Sequence, residues 1–419
     1  MRRGRGILDL DWLTVLLYLS LVSMGWLSIY AVGYGGEETQ IFDFSTNHGK
    51  QMVWIGISLF LALLILLIDS KFYITFAYVF YGLSILSLIA LLVFGSTIKG
   101  STSWFVIGGF SIQPAEFAKF TTSLALAKFL STLGVSIKQL RGKLVTSLIL
   151  GLPAVLILMQ NDLGSTIVFA AFIWVLYREG LHSAFMIFLL SIVILSILGL
   201  LFNKFILLTL LLIITVFVLY FNRRNKQLIY FLGLAYILCT GYIFTLDYIF
   251  NNVLKDRHRD RINLLLGKDF DPQGSGYNVN QSMIAIGSGG FSGKGYLEGT
   301  QTKYNFVPEQ STDFIFCTIG EEHGFLGSAF VIIVFFLLLF RIIYIAERQR
   351  SAFTRIYGYG VASILFFHVN VNIGMTIGLA PVVGIPLPFF SYGGSSILAF
   401  TILLFILLKL DSDRLAVLR

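Results

Sequence analysis

The sequence predicts an all-α polytopic membrane protein of about twelve transmembrane helices. Three observations predict it. Of its 419 residues, 57% are hydrophobic and only 12% charged, and mean hydropathy is +0.84, the balance of an integral membrane chain rather than a soluble one. Apolar runs near bilayer length recur from end to end, and Lys and Arg collect on alternate connecting segments. One membrane domain over 1–419 is the simplest organisation, with 183–250 and 251–312 as its two distinctive regions.

Taken in order, the opening MRRGRGILDLDW is basic but lacks a short apolar core and a small-residue cleavage site, so 12–32 reads as a retained span and not a signal peptide. Spans follow at 52–68, 73–95, 116–133, 144–160 and 164–177, then at 183–202, 205–221 and 228–250, and finally at 313–340, 356–378 and 390–408. With the amino terminus cytoplasmic, the inner segments carry clusters such as Arg2, Arg3 and Arg5, Lys138, Arg141 and Lys143, and Arg348, Arg350 and Arg355, whereas the short outer loops carry little beyond Lys50, Lys99 and Lys204. The net charge of +8 is thereby explained by topology, and no nucleic-acid partner is needed. Cys239 and Cys317 lie within apolar runs and read as packing residues, not as a disulfide framework.

Residues 251–312 form the one long hydrophilic segment, and span parity places it outside. It carries Lys255, Arg257, Arg259, Arg261, Lys268, Lys294 and Lys303, a basicity that a long loop tolerates and that fits an anionic ligand or lipid headgroups at the outer surface. Its glycine-dense part, GSGYNVNQSMIAIGSGGFSGKGYLEGTQ, suits a re-entrant or interfacial segment able to wrap a ligand. GSGGFSGKG is not a phosphate loop. Ser288 stands where the first glycine belongs, and Gly295 follows Lys294 in place of Ser or Thr.

Ionisable residues at membrane depth are functional candidates because a charge at the bilayer centre costs about 2.5–3.5 kcal/mol. In QPAEFAK, Glu116 and Lys119 share a helix face and can pair, as substrate contact or as structural pair alike. Asp162 in QNDLGS suits an N-cap between two spans. Glu321 and Glu322 suit pairing with a buried cation, and His368, Asn370 and Asn372 suit hydrogen-bonded helix contacts. GLAPVVGIPLPFFSYGGSS, rich in Pro and Gly, predicts non-helical backbone lining a cavity or buried in protein. Within it Ser391 lacks a His and Asp constellation, is a poor nucleophile candidate, and suits helix capping. In FVPEQSTDFIF, residues 311–313 occupy the place of an N-cap and first turn, where the helix dipole favours the Asp313 carboxylate.

QPAEFAK, QNDLGS, DPQGSGYNVNQSMIAIGSGGFSGKGYLEGTQ, FVPEQSTDFIF, GEEHGFLG and GIPLPFFSYGGSS, in this order, resemble the SEDS family of bacterial cell-wall polymerases, the RodA and FtsW proteins. KGYLEGTQ and GIPLPF look closer to the RodA, elongation-type branch. The resemblance implies glycosyltransfer on lipid II at the outer face of the bacterial cytoplasmic membrane, beside a class B penicillin-binding protein that crosslinks the strands. It places the family's proposed catalytic aspartate on Asp313, and polar positions of the central cavity on Glu116, Lys119, Asp162 and Lys303. Gln281, Glu309 and Ser391, in the same blocks, and Arg261, earlier in the long loop, complete the substrate-binding set. No cofactor is assigned, and a divalent cation assisting the pyrophosphate, with its ligands, stays open.

The chemistry agrees with that implication. A donor used outside the cell must carry its own leaving group on a lipid, and a pyrophosphate leaving group calls for cations more than for an acid. Asp313 then serves as general base toward the acceptor hydroxyl. The stereochemistry is expected to invert, by analogy with inverting glycosidases. Departures include Asn161, Ala115 and Ser311, where the family usually has Pro, Ser and His, and three apolar segments at 183–250 in place of one, so that a family-like ten spans become twelve with parity kept. A lipid II flippase and a non-catalytic scaffold of the crosslinking partner are the rival readings. The two halves of the chain show no clear motif repeat of the kind many transporters carry.

Overall fold

The computed structural model describes residues 10–34, 40–98, 100–108, 110–254, 259–260, 262–263, 266, 276–304 and 306–414. Arg261 lies outside the described residues, as do the cations Arg2, Arg3, Arg5, Lys99, Lys255, Arg257 and Lys268. By internal contact the chain divides into two compact units, Met1–Leu181 with Asn278–Arg419, and His182–Tyr277.

In the larger unit, helices start where the sequence supplies caps. Asp11 opens α1 (Trp12–Val32) by accepting from Thr14 N at 3.2 Å, and Thr46 opens α2 (Asn47–Leu67) through Gly49 N. The expected 73–95 span is two helices, α3 (Ser70–Thr75) and α4 (Ala77–Phe94), parted at Phe76. An antiparallel sheet absent from the all-α expectation follows, β1 (Ser96–Ile98), β2 (Ser101–Ile107) and β3 (Phe110–Ile112), in the order β1-β2-β3. Pro114 takes the first position of α5 (Pro114–Leu130), where its missing N–H is no loss. α6 (Leu140–Met159) contains Pro153. Asp162 caps α7 (Leu163–Val168), which runs through a 3-10 turn into α8 (Phe172–Arg178).

The smaller unit holds the added helices, α9 (Ser183–Leu201), α10 (Lys204–Phe221) and α11 (Lys226–Tyr248), the last ending in a π turn. Lys204 pairs with Asp247 at 2.7 Å, and Ser196 shares a 2.7 Å hydrogen bond with Tyr242. These join α9 to α11 and α10 to α11, but the helices bury almost none of their apolar side chains within the protein, as lipid-facing helices do.

The chain then continues through α12 (Tyr277–Ser288), α13 (Thr300–Lys303), α14 (Ile315–Glu347), α15 (Ala352–Thr376) and α16 (Gly394–Ser412). α5, α15 and α16 form the buried centre of the larger unit, with Tyr357, Phe390 and Phe400 fully enclosed. Among the described residues, ten helices are long and apolar enough to cross a membrane. The segments expected at 116–133 and 164–177 are helical but shorter, α5 at 17 residues and the stretch Leu163–Arg178 in two pieces. All twelve expected runs are thus helical, ten of them at bilayer length and two shorter.

One end of this unit is closed by ion pairs. Asp11 accepts from Arg341 at 2.7 Å and Arg348 at 3.0 Å, while the buried Asp411 accepts from Arg348, Gln349 and Arg414. Burial alone would raise the Asp11 carboxyl, yet the hydrogen bonds from Arg341 and Thr14 prevail and hold it down at about 2. A folded-state pKa below the ordinary 3.8 means stabilisation present above pH 4 and lost as pH falls toward 2. Asp11→Asn is therefore expected to lower stability at neutral pH by about 2 kcal/mol and to flatten the acid limb of the unfolding midpoint in detergent. An unchanged acid limb would remove Asp11 from that account.

Candidate functional site

At the opposite end of α14, Asp313 sits in the turn before the helix. The N-cap is Phe314, without a side-chain capping bond, so the expected capping role of residues 311–313 is corrected. The backbone is held from α15 instead. Asn372 donates from Nδ2 to Asp313 O at 2.9 Å and to Ile385 O at 2.7 Å. Two flanking carbonyls are also taken, Thr312 O by Ser391 Oγ at 2.6 Å and Ser311 O by Tyr392 N at 2.8 Å. Ser391 Oγ in turn accepts from Leu387 N at 2.9 Å. The expected capping role of Ser391 is thus also corrected, because Gly393 occupies the N-cap of α16. Ser391 is buried, and its hydroxyl fastens the Asp313 turn to the 377–393 loop.

That loop is non-helical, as its Pro and Gly content requires. It approaches the Asp313 carboxylate at Gly384, where φ is +74° and a Cβ would stand 3.5 Å from Oδ2. Glycine there allows the left-handed backbone, while a Cβ would make only ordinary contact with the carboxylate. Behind it, Gly164 at the start of α7 presses on Val383 so closely that a Cβ would collide with Val383 O. Asp162 serves the predicted cap and is fully engaged. Its Oδ1 accepts from Ser165 N at 3.0 Å, and Oδ2 from Ser165 Oγ at 2.9 Å and Gln113 Nε2 at 2.8 Å. Gln113 N donates to Ser395 Oγ, tying α5, α7 and α16 together around the loop.

Glu116 and Lys119 pair at 2.7 Å and are almost completely buried. Lys119 Nζ also lies 3.0 Å from His368 Nε2 and 4.9 Å from the Phe400 ring. His368 Nδ1 is 3.1 Å from Pro386 O, which can only accept, so Nδ1 carries the proton and Nε2 receives a Lys119 N–H. His368 and Asn372, one turn apart on α15, thereby hold neighbouring carbonyls of the loop beside Asp313.

Lys303 ends α13 with its ammonium 5.4 Å from the Tyr34 ring. α13 is set by Glu321, whose carboxylate accepts from Gln301 N, Thr302 N, Thr302 Oγ1 and Lys294 Nζ at 2.7–2.9 Å. The cation on Glu321 is thus Lys294, which is partly exposed where a buried one was expected. Glu322 accepts from Leu297 N. Glu309 is exposed at φ +58° and accepts from Thr312 Oγ1 at 2.9 Å, next to Asp313. Gln281 is half-buried on α12, and the described hydrogen bonds do not tie it to the others. Among the described residues no group of three His, Cys, Asp or Glu side chains could hold a metal ion.

The glycine-dense stretch has a structural role that the sequence reading did not anticipate. α14 breaks at Gly324, whose φ is +61°, and the break frees backbone groups that 289–295 satisfies. Phe325 N donates to Gly290 O, Lys294 N to Glu321 O and Gly295 N to Glu322 O, all at 3.0–3.1 Å. A Cβ at Gly293 would collide with Glu322 O at a residue whose φ is +83°. Gly293→Ala is expected to destabilise by about 2 kcal/mol or more, read as a lower thermal midpoint in detergent. An unchanged midpoint would show that the 289–295 stretch and α14 can part without loss.

The sequence supplied Asp313, Ser391, Glu309, Glu116, Lys119, Asp162 and Lys303, and the fold brings the first three into one turn-and-loop junction. It missed Gly384 and Gln113 as site-forming residues. Their signal was position within GIPLPF and QPAEFAK. Asn372 was read only as a helix contact, although its spacing of four from His368 already put both on one face.

The profile of the FtsW/RodA/SpoVE family, described as "Cell cycle protein", matches residues 11–208 and 182–415. The two stretches overlap at 182–208, where the added helices begin. The peptidoglycan glycosyltransferase MrdB of Escherichia coli K12 is 31% identical over 93% of this chain and 90% of its own. The peptidoglycan glycosyltransferase RodA of Treponema pallidum is 32% identical over 99% and 100%. Among solved structures, a chain of a peptidoglycan synthase complex, described as coordinating polymerization and crosslinking, superposes with a TM-score of 0.72 at 26% identity, covering 97% of this chain and 98% of that one.

Proposed function

Because the chain belongs to the FtsW/RodA/SpoVE family, we propose that it polymerises lipid II into glycan strands at the outer face of the bacterial cytoplasmic membrane, with Asp313 as general base. The chain is a multi-pass membrane protein and a peptidoglycan glycosyltransferase. The amino terminus is cytoplasmic in this reading, 251–312 works outside, and 183–250 supplies two spans beyond the family's usual ten. A class B penicillin-binding protein is the partner, a reading supported by the similar chain that comes from a synthase complex.

In the reaction the acceptor hydroxyl gives its proton to Asp313 as its oxygen bonds the anomeric carbon of the donor, and the bond from that carbon to the lipid pyrophosphate breaks with inversion. Lys303, Arg261 and the other loop cations receive the developing pyrophosphate charge. Glu116, Lys119, Asp162, Gln281, Glu309 and Ser391 shape the site. Of these, Lys119, Asp162 and Ser391 act chiefly by holding it, since their polar atoms are engaged within the protein, and Glu116 joins them through the one oxygen that Lys119 takes.

The observation that carries the reading is the Asp313 carboxylate, set against Gly384 by a backbone fixed from three sides. It is tested by giving lipid II to the full chain, purified with its partner, as wild type and as Asp313→Asn. Retained glycan synthesis in the variant would sink the assignment. Movement of lipid without polymer by the wild type would favour transport.

A further inference from the structure

The structure assigns His368 a part in the reaction: we propose that it is a positioning residue which anchors the Asp313 loop to the buried Lys119 ammonium. The inference rests on the reading of Asp313 given above. His368 is buried, and its two nitrogens face different elements, Nε2 toward Lys119 of α5 at 3.0 Å and Nδ1 toward Pro386 O at 3.1 Å. Pro386 is two residues from Gly384, which abuts Asp313 Oδ2. The ring is further fixed by Phe400, edge-on at 4.8 Å. One side chain thus spans from an ion pair in the bundle to the segment that sets the space beside the base.

A second observation separates this from an ordinary buried ion pair. Lys119 gives one N–H to Glu116 Oε1 and another to His368 Nε2, so the ammonium is tied to the loop as well as to its carboxylate. The buried Oε2 of Glu116 has no hydrogen-bond partner among the described residues.

The consequence is specific to turnover. Without the imidazole acceptor, Lys119 can settle wholly on Glu116, and the 384–387 segment loses its fixed distance from α5. Substrate contacts in the outer loop are untouched. Gln at 368 can still donate to Pro386 O and accept from Lys119, whereas Phe can do neither.

The experiment uses the full chain with its partner and lipid II as the probe. His368→Phe is expected to lower kcat about ten- to hundredfold, the scale of one charge-assisted hydrogen bond, with KM within about twofold. His368→Gln is expected to restore most of the rate, and Lys119→Met is expected to add little further loss on the Phe background. Thermal midpoints of the Phe and Gln variants should differ far less than their rates. Wild-type kcat in His368→Phe, or equal losses of rate and midpoint in both variants, would overturn the proposal. Were Asp313→Asn itself to retain polymerisation, that result would remove the base assignment whatever the His368 variants do, so the two failures are distinct.

Discussion

Asp313→Asn is expected to lower lipid II polymerisation about a hundred- to ten-thousandfold, the range supplied by a positioned general base. The substitution isolates chemistry from folding for structural reasons. Three hydrogen bonds that hold this turn from outside go to backbone carbonyls, from Asn372 to Asp313 O, from Ser391 to Thr312 O and from Tyr392 N to Ser311 O, and all three are indifferent to the side chain at 313. No side-chain cap is lost, because the helix begins at Phe314 without one. Asn also occupies the same volume next to Gly384, where even an added Cβ would stand 3.5 Å away. Its amide cannot take a proton from the acceptor hydroxyl. Purified Asn variant should therefore match wild type in thermal midpoint and in association with its partner while making no polymer resolved on a gel. Asp313→Glu tests placement, since one added methylene drives the carboxylate toward Gly384 and should leave a residual rate. A Glu variant as fast as wild type would show that distance to the acceptor is not set by this contact.

The architecture was legible where apolar length decides it. Helices occur at each apolar run the sequence offered, with ends shifted by a few residues at most positions, because bilayer-length runs leave the backbone no alternative to internal hydrogen bonding. The sheet at 96–112 escaped because its strands are short and its single longer run, STSWFVI, sits between spans that dominate any hydropathy reading. The site divides along the same line. Asp162 was legible as a cap because capping is local, and Glu116 with Lys119 because three residues on a helix is local. Groups from 372, 384 and 391 meet Asp313 and its flanking carbonyl, and nothing in the turn 306–316 announces which remote side chains and glycines will do so. The contact of the glycines at 289–295 with α14 was missed for a related reason. Their function is set by the break at Gly324, a conformational choice of a distant helix.

Glu321→Ala is expected to be the most damaging substitution outside the base, destabilising by about 2–4 kcal/mol, because it strips the common acceptor from a set of converging donors. Glu321 is fully buried, and its carboxylate receives the first-turn N–H groups of Gln301 and Thr302 together with the Thr302 hydroxyl and the Lys294 ammonium. Those backbone groups belong to a helix start, where the dipole adds to the attraction of an anion. Lys294 is partly exposed and can turn to water, so its share of the loss is small. The two amides and the buried Thr302 cannot. Without the anion α13 has no reason to keep its place, and Lys303, which ends it, leaves the position above Tyr34. Gln310 loses an anchor as well, since its Nε2 donates to Thr302 O, and Gln310 stands three residues before Asp313. Two measurements follow for the full chain with its partner: a lower thermal midpoint, and a raised KM for lipid II if Lys303 meets the pyrophosphate. Glu321→Gln keeps the volume and one acceptor but turns an N–H toward other donors, so it should fall between wild type and Ala in both. Lys303→Met should reproduce the KM change with the midpoint preserved. An Ala variant that loses stability while KM stays unchanged would keep Glu321 as the support of α13 and remove Lys303 from the substrate.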